Sequence, residues 1–419
     1  MTLSLARRAD RFPDRTAVVD ISEERLYAPA ETIHDDRVTY GELSTIATRT
    51  AERLATLDIG PGDTVCLVSR NRVASLALFF ACRRLGATFA PISHLLTPAS
   101  VERPFDVLEP DLVVSEAAQR DLVRSIPFDR SVTLDELTEA DRESVDFDDR
   151  RSEGGAGENP LLVLHGETGR PLAGYSAAAV ERNCVTGVVA WGVAANDVAP
   201  LTGPLSTPAA LVRVALSVLY AGGTLLLDRA FDPGDAVTAI VEEDATLLAG
   251  RETALRDIAA ESGFADATNS LQRVVCEGPI PEDVTAAYRD RELPVAQVYG
   301  RLECPTALSQ GFEGRSSAST SETDGTAVGR PVPDCQARLV DDEGTVLDGQ
   351  ATGRLQLSGP MVADGYVTAA GTDDENWYAS AELQSEDYDE ADDRGEFADG
   401  WFDTGDRARR DADGRYYLE

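Results

Sequence analysis

The sequence predicts an α/β fold: two stacked α/β lobes with mainly parallel sheets, followed by a small β lobe of barrel-like character. Three observations carry that prediction. Strand-length apolar runs alternate with segments of helical periodicity between residues 40 and 115. The alternation restarts between residues 161 and 276, and from Gly329 it gives way to short β runs between turn residues. A chain of 419 residues is too long for one simple core, and it divides here into parts near 1–160, 161–328 and 329–419.

In the first part, Leu43, Ile46, Ala47, Ala51, Leu54 and Ala55 recur at helical spacing and predict a helix over 40–57. The turn Gly60-Pro61-Gly62-Asp63 ends it, and 64–69 reads as a strand. An apolar helix over 73–85 stops at Gly86, with strands at 87–92 and 110–115 beyond it. Residues 142–159 are polar and acidic and read as a linker. The second part opens on a strand at 161–164 and a helix over 177–189, with Ser176 as its N-cap. It continues with helices at 211–220, 235–243 and 252–260 and strands at 224–227, 245–248 and 271–276. In the third part, 337–340, 353–357 and 416–418 are short strands, and the densely acidic 372–400 predicts a solvated insertion.

The formal net charge is −36, and lysine is absent, so all 38 basic residues other than histidine are arginine. Self-repulsion of that size argues against nucleic acid or anionic membrane as a partner, since both need basic patches. Carboxylates spread along the chain fit a halophilic surface whose repulsion is screened by molar salt. An acidic protein that recruits basic partners is the other reading, and a GC-rich genome would also favour arginine over lysine. No apolar run approaches the length needed to cross a bilayer, and the N-terminus lacks a signal-peptide pattern. Those features predict a cytoplasmic protein without a membrane span. Six widely spaced cysteines without a C-x-x-C pair argue against a zinc site or a disulfide scaffold. With only three histidines, a multi-histidine metal centre is not expected.

The stretch at 160–176 concentrates the chemistry. An apolar strand runs into a turn built on Gly166, Thr168, Gly169 and Pro171, and a helix N-cap follows at Ser176. Strand, glycine loop and helix N-terminus together aim backbone N–H groups at a phosphate. The lysine that such loops often add is missing.

Further motifs occur in a fixed order. They include Phe12-Pro13-Asp14-Arg15-Thr16-Ala17, Thr39-Tyr40-Gly41-Glu42-Leu43, Gly62-Asp63 and Arg84-Leu85-Gly86-Ala87 near the start. Later come Cys276-Glu277-Gly278-Pro279, Gln297-Val298-Tyr299-Gly300-Arg301-Leu302-Glu303 and Gly325-Thr326-Ala327-Val328-Gly329-Arg330-Pro331. Gly353-Arg354-Leu355-Gln356-Leu357-Ser358-Gly359 and Gly400-Trp401-Phe402-Asp403-Thr404-Gly405-Asp406 close the series. In that order the chain resembles, over essentially its whole length, the adenylate-forming superfamily of acyl-CoA synthetases, nonribosomal-peptide adenylation domains and luciferase.

The resemblance assigns roles. The family's phosphate loop, roughly T-S-G-T-T-G-x-P-K-G, falls on residues 164–173. Gly166, Thr168, Gly169 and Pro171 are kept. Leu164, His165 and Glu167 stand where hydroxyls are usual, and Leu172 where the lysine is. It implies that Gly166, Thr168 and Gly169 cradle the pyrophosphate end of ATP, with Arg170 taking over from the lost lysine. Glu167 works against that tail, since two like charges ~4 Å apart repel by about 4 kcal/mol at an effective dielectric of ~20. A magnesium ion or Arg170 offsets this. It also implies that Glu277, Gly278, Pro279, Tyr299 and Gly300 border adenine, that Asp406 accepts the ribose hydroxyls, and that Glu303 holds magnesium. Thr168, Arg170 and Glu303 form the implied catalytic set.

Pro204-Leu205-Ser206-Thr207 falls near the family's acyl pocket without its aromatic and histidine, so the acid is left untyped. The implied function is an AMP-dependent acid–CoA ligase using ATP, magnesium, coenzyme A and a small-molecule carboxylic acid. The alternative is a degenerate nucleotide- or acyl-adenylate-binding protein, or one half of a split ligase. The family continues with a Gly-Arg hinge and a mobile C-terminal domain carrying a catalytic lysine, beyond the point where this sequence stops at Glu419. The expectation is weak adenylation by this chain alone, with that domain supplied by another polypeptide or lost through truncation.

Overall fold

The computed structural model describes residues 3–22, 37–126, 128, 130–138, 159–312, 325–368 and 395–419. The acidic linker (142–158) and the acidic insertion (372–394) lie outside the described residues.

The described residues form three sheets, and the α/β class with mainly parallel sheets is what the structure has. In the seven-stranded sheet the order is Gly365–Tyr366, Leu172–Tyr175, Leu162–His165, Thr88–Ile92, Thr64–Val68, Leu112–Ser115, Ser131–Thr133. From Leu162–His165 onward all neighbours are parallel. Thr64–Val68 and Thr88–Ile92 are buried along their whole length, as strands covered on both faces must be, which is why they read as unbroken apolar runs. Helix Val73–Leu85 is buried on nearly every face, and Gly86 ends it in the left-handed conformation (φ 73°). Helix Tyr40–Thr56 starts on a reciprocal capping box between Thr39 and Glu42.

A four-stranded sheet (Arg37–Thr39, Thr16–Asp20, Thr224–Leu227, Val198–Pro200) joins the start of the chain to its middle. The third sheet has eleven strands. It begins with the parallel set Leu247–Arg251, Arg273–Glu277 and Val295–Tyr299. It then turns antiparallel through Leu308–Ser309 and Thr326–Pro331 into Tyr416–Leu418, Trp401–Arg410, Ala351–Ser358, Gln336–Val340 and Val346–Leu347, with Glu396–Ala398 pairing the start of Trp401–Arg410. The small β region is therefore hydrogen-bonded to the parallel sheet without a break. Sheets also interleave the sequence: Leu162–His165 joins the strands of the first part, and Thr16–Asp20 pairs with Thr224–Leu227.

One local expectation is corrected. The glycine loop does not run into a helix N-terminus: it is the turn of an antiparallel hairpin, Leu162–His165 with Leu172–Tyr175, and the helix Ala177–Trp191 starts only after the second strand. That N-terminus is occupied by the chain itself. Ser176 Oγ accepts from Ala179 N, and the Asp364 carboxylate accepts from Ser176 N. Leu172–Tyr175 looked like turn chemistry because Pro171 and Gly174 flank so few apolar residues.

The expected helix at 211–220 is a π-helix, Ala209–Leu216, continued by the α-helix Ser217–Ala221. Its wider winding is a feature often found beside functional sites. Among the described residues no helix is long and apolar enough to cross a membrane. All six cysteines are buried and unbridged.

Candidate functional site

A cavity of about 740 Å³ opens where the parallel strands of the two larger sheets end. His165, Arg251 and Glu277 are the last residues of their strands, and Ser93 and Gly300 follow closely on theirs. Crevices at the carboxyl ends of parallel strands are where α/β folds take their ligands, and this volume suits a small molecule.

The hairpin turn forms one wall. Gly166, Glu167, Thr168 and Arg170 line the cavity, whereas Gly169 does not. Both glycines are demanded by the turn: a Cβ on Gly166 would lie 2.3 Å from Arg170 O, and one on Gly169 (φ 93°) would lie 2.8 Å from Ser100 O. Their N–H groups are committed to Pro171 O and Gly166 O. Those two N–H groups are therefore spent within the turn.

His165 is a brace. Its Nε2 accepts from Ser93 N at 2.9 Å and its Nδ1 lies 2.7 Å from Gly166 O, which fixes a neutral imidazole with the proton on Nδ1. Burial pushes its pKa down, and the bond to Gly166 only partly opposes that.

A chain of charges crosses from the hairpin to the opposite wall. Glu167 pairs with Arg251 (3.0 Å), Arg251 lies 3.8 Å from Glu277, and Glu277 pairs with Arg213 at 3.1 Å. Arg213, on the π-helix and only 4% exposed, also donates from Nε and Nη2 to Pro305 O. Its guanidinium lies against Gly300, where a Cβ would come within 2.6 Å of Nη2. A Cβ there would also lie 2.0 Å from Pro305 O, so the backbone beside it is what requires Gly300.

The third cluster gathers around Glu303. Tyr366 donates to Glu303 Oε1 at 2.5 Å, and Arg301 reaches both Glu303 (4.0 Å) and Asp406 (3.2 Å). Tyr299 donates to the Asp406 carboxylate, and Tyr175 to Leu302 O. Burial first, then the neighbouring carboxylate, pushes the pKa values of Tyr299 and Tyr366 well up, so both remain donors.

Of the residues singled out in the sequence, Gly166, Thr168, Arg170, Glu277, Gly300 and Glu303 share the cavity. Tyr299 and Asp406 meet each other just behind it. Gly278 (φ 81°) and Pro279 lie outside its lining, and Gly278 N donates to Val298 O. Arg170 borders the cavity but donates to Arg103 O (3.3 Å) and pairs with Asp106 (3.7 Å), on the side of the helix Glu102–Leu108. Sequence reasoning missed Arg213, Arg251, Arg301 and Tyr366. Arg213 carried a local signal, a single charge inside an apolar run, and Arg301 and Tyr366 lay within or just after quoted motifs without being given a role.

No group of three or more His, Cys, Asp or Glu side chains capable of holding a metal occurs among the described residues. Magnesium is commonly held by one or two carboxylates, with phosphate oxygens and waters completing its shell. Glu303, one of the carboxylates that line the cavity, fits that arrangement.

This fold is that of the adenylate-forming enzymes. The o-succinylbenzoate coenzyme A synthetase of Bacillus subtilis, in complex with ATP and magnesium ion, matches with a TM-score of 0.79 at 19% identity, over 99% of this chain and 78% of that one. The N-terminal domain of FACL13 from Mycobacterium tuberculosis matches with a TM-score of 0.80 at 21% identity, over 99% of this chain and 98% of that one. A feruloyl-CoA synthase of Amycolatopsis is 31% identical over 389 residues, covering 91% of this chain and 73% of the relative. Residues 5–367 match the family described as AMP-binding enzyme, and the chain belongs to it.

Proposed function

We propose that this protein is an AMP-dependent acid–CoA ligase, which activates a small-molecule carboxylic acid as its adenylate and passes the acyl group to coenzyme A. The observation that carries this reading is a single cavity containing both the glycine hairpin and Glu303, with an apolar interior that includes Leu201, Val214, Phe231 and Val275. Such an interior accommodates the body of an aryl or acyl acid. When bound, ATP would supply the adenylyl group and magnesium a hard cation for its phosphate charge.

The chain's own residues do the rest. Tyr366 orients the Glu303 carboxylate toward a cation, Asp406 offers acceptors to ribose hydroxyls, and Glu167 and Thr168 bring the hairpin turn to the cavity wall where the phosphates would lie. Asp406 must exchange its bond from Tyr299 or Arg301 to do so. A cytoplasmic setting belongs to this reading, with six unbridged thiols in its favour.

The test is acid-dependent ATP–pyrophosphate exchange in molar KCl across a panel of aryl and acyl acids. Exchange is expected only when acid is present, and Glu303→Gln abolishes it. A second reading, nucleotide binding without autonomous adenylation, is favoured by the absence of lysine from the whole sequence. It requires no exchange, together with AMP binding that is lost in Asp406→Ala. In that case a lysine-bearing domain, on a continuation of this chain or on another polypeptide, would complete the ligase.

A further inference from the structure

We propose that Arg251 is the residue that binds the polyphosphate end of the nucleotide, and that Glu167 occupies it until phosphate displaces the carboxylate. The proposal rests on the reading above and assigns a residue to its phosphate subsite.

Four arginines border the cavity among the described residues: Arg170, Arg213, Arg251 and Arg301. Three of them are committed. Arg213 is buried, bonded to Pro305 O and paired with Glu277. Arg301 is held between Asp406 and Glu303. Arg170 is turned toward Arg103 and Asp106. Arg251 differs from all of them. Its side chain is 58% exposed, and it reaches the hairpin turn through Glu167, which is itself 82% exposed. An exposed pair of this kind is worth little and is screened by salt, so exchanging one anion for another costs little.

The local charge count sets the direction of that exchange. Arg213, Glu277 and Arg251 together carry two positive charges and one negative, and Glu167 brings the sum to zero. With Glu167 swung out, a net positive charge faces the hairpin turn, which lines the cavity through Gly166, Glu167 and Thr168. A phosphate oxygen offers the guanidinium the same acceptor geometry as a carboxylate and carries more charge. Glu277 stays 3.8 Å from Arg251 Nε and keeps the side chain in place during the exchange. Free pyrophosphate and the tail of ATP share this chemistry.

Two substitutions separate the proposal from a purely structural ion pair. A structural pair is broken equally by Arg251→Gln and Glu167→Gln, which then shift ligand affinity in the same direction. In this proposal they act with opposite sign. The full chain is titrated calorimetrically with ATP, inorganic pyrophosphate and AMP, each with magnesium, in low and in molar KCl.

Arg251→Gln is expected to weaken ATP and pyrophosphate by about tenfold or more and to leave AMP within about twofold. Arg251→Lys recovers part of the loss. Glu167→Gln tightens ATP several-fold, and the gain shrinks in molar KCl. Arg256→Gln, on the helix that follows, removes an equal charge and moves none of the three. Unchanged ATP affinity in Arg251→Gln, shifts of the same sign in both variants, or an equal loss of ATP and AMP would each overturn the proposal. Failure of the unmodified chain to bind either ATP or AMP would instead overturn the functional reading, and this assignment with it.

Discussion

The cavity has two ends built from the same kinds of side chain under opposite conditions. Around Tyr299, the acids and the arginine are bonded several times over: Glu303 is 2% exposed and held by Tyr366, and the half-buried Arg301 is shared between Glu303 and Asp406. At the hairpin, Glu167 and Arg251 meet once, in solvent. Removing one member of a buried pair strands a charge in a poor solvent and costs several kcal/mol. Removing one member of an exposed pair costs next to nothing. The first end is therefore a scaffold whose charges hold positions, and the second is a surface whose charges can change partners.

Substitutions test that division, beginning with the largest effect. Arg213→Met, at the buried end of the charge chain, is expected to lower unfolding stability by about 3 kcal/mol, because Glu277 is left with Arg251 alone. Denaturant titration measures this, and a loss below about 1 kcal/mol would remove Arg213 from the scaffold. Next, Asp406→Ala should weaken AMP by about tenfold to a hundredfold, equivalent to about 1.4–3 kcal/mol, and leave pyrophosphate unaffected. Parity between the two ligands in equilibrium titration would erase the distinction between the ends.

The third test uses pH. Burial holds His165 neutral, with its folded pKa below the unfolded value of 6.5. Its contribution is therefore complete above that value and is lost as pH falls below it. His94 is also lowered, chiefly by burial, and adds a slope of the same sign. Unfolding midpoints should fall from pH 7 to pH 5. His165→Gln should cost about 1 kcal/mol at pH 7 and flatten that slope. A slope unchanged in the variant would show that the brace does not titrate. The smallest effect is that of Arg251→Gln on stability, expected to stay within about 0.5 kcal/mol in thermal unfolding while phosphate binding suffers.

Local signals account for the parts of the molecule that were legible in sequence. Val73–Leu85, Thr64–Val68 and Arg273–Glu277 announce themselves because burial on both faces leaves unbroken apolar runs. The Tyr299–Glu303 motif is compact, so its position could be read without knowing its partners. Those partners could not be read. Glu167 and Arg251 are 84 residues apart, and Tyr366 and Glu303 are 63 apart, with no periodicity linking them.

Strand Trp401–Arg410 was hidden for a different reason. Thr404-Gly405-Asp406 has turn composition, but Gly405 (φ 76°) sits in an irregularity of the ladder to Ala351–Ser358 that places Asp406 beside Tyr299. The hairpin glycines were noticed for their link to phosphate, although the turn itself requires them.

The short strand Gly365–Tyr366 has a mechanical consequence. Its backbone pairs with Leu172–Tyr175 of the hairpin, while the Tyr366 hydroxyl holds Glu303. Just before it, Ala363 N donates to Glu303 O and Asp364 N to Gly174 O. One stretch of chain thus spans the cavity's two ends like the bar of a caliper. The separation between the hairpin strand and the carboxylate is held by that bar. Lengthening the segment by a residue would shift Glu303 relative to the hairpin strand before it loosened either attachment.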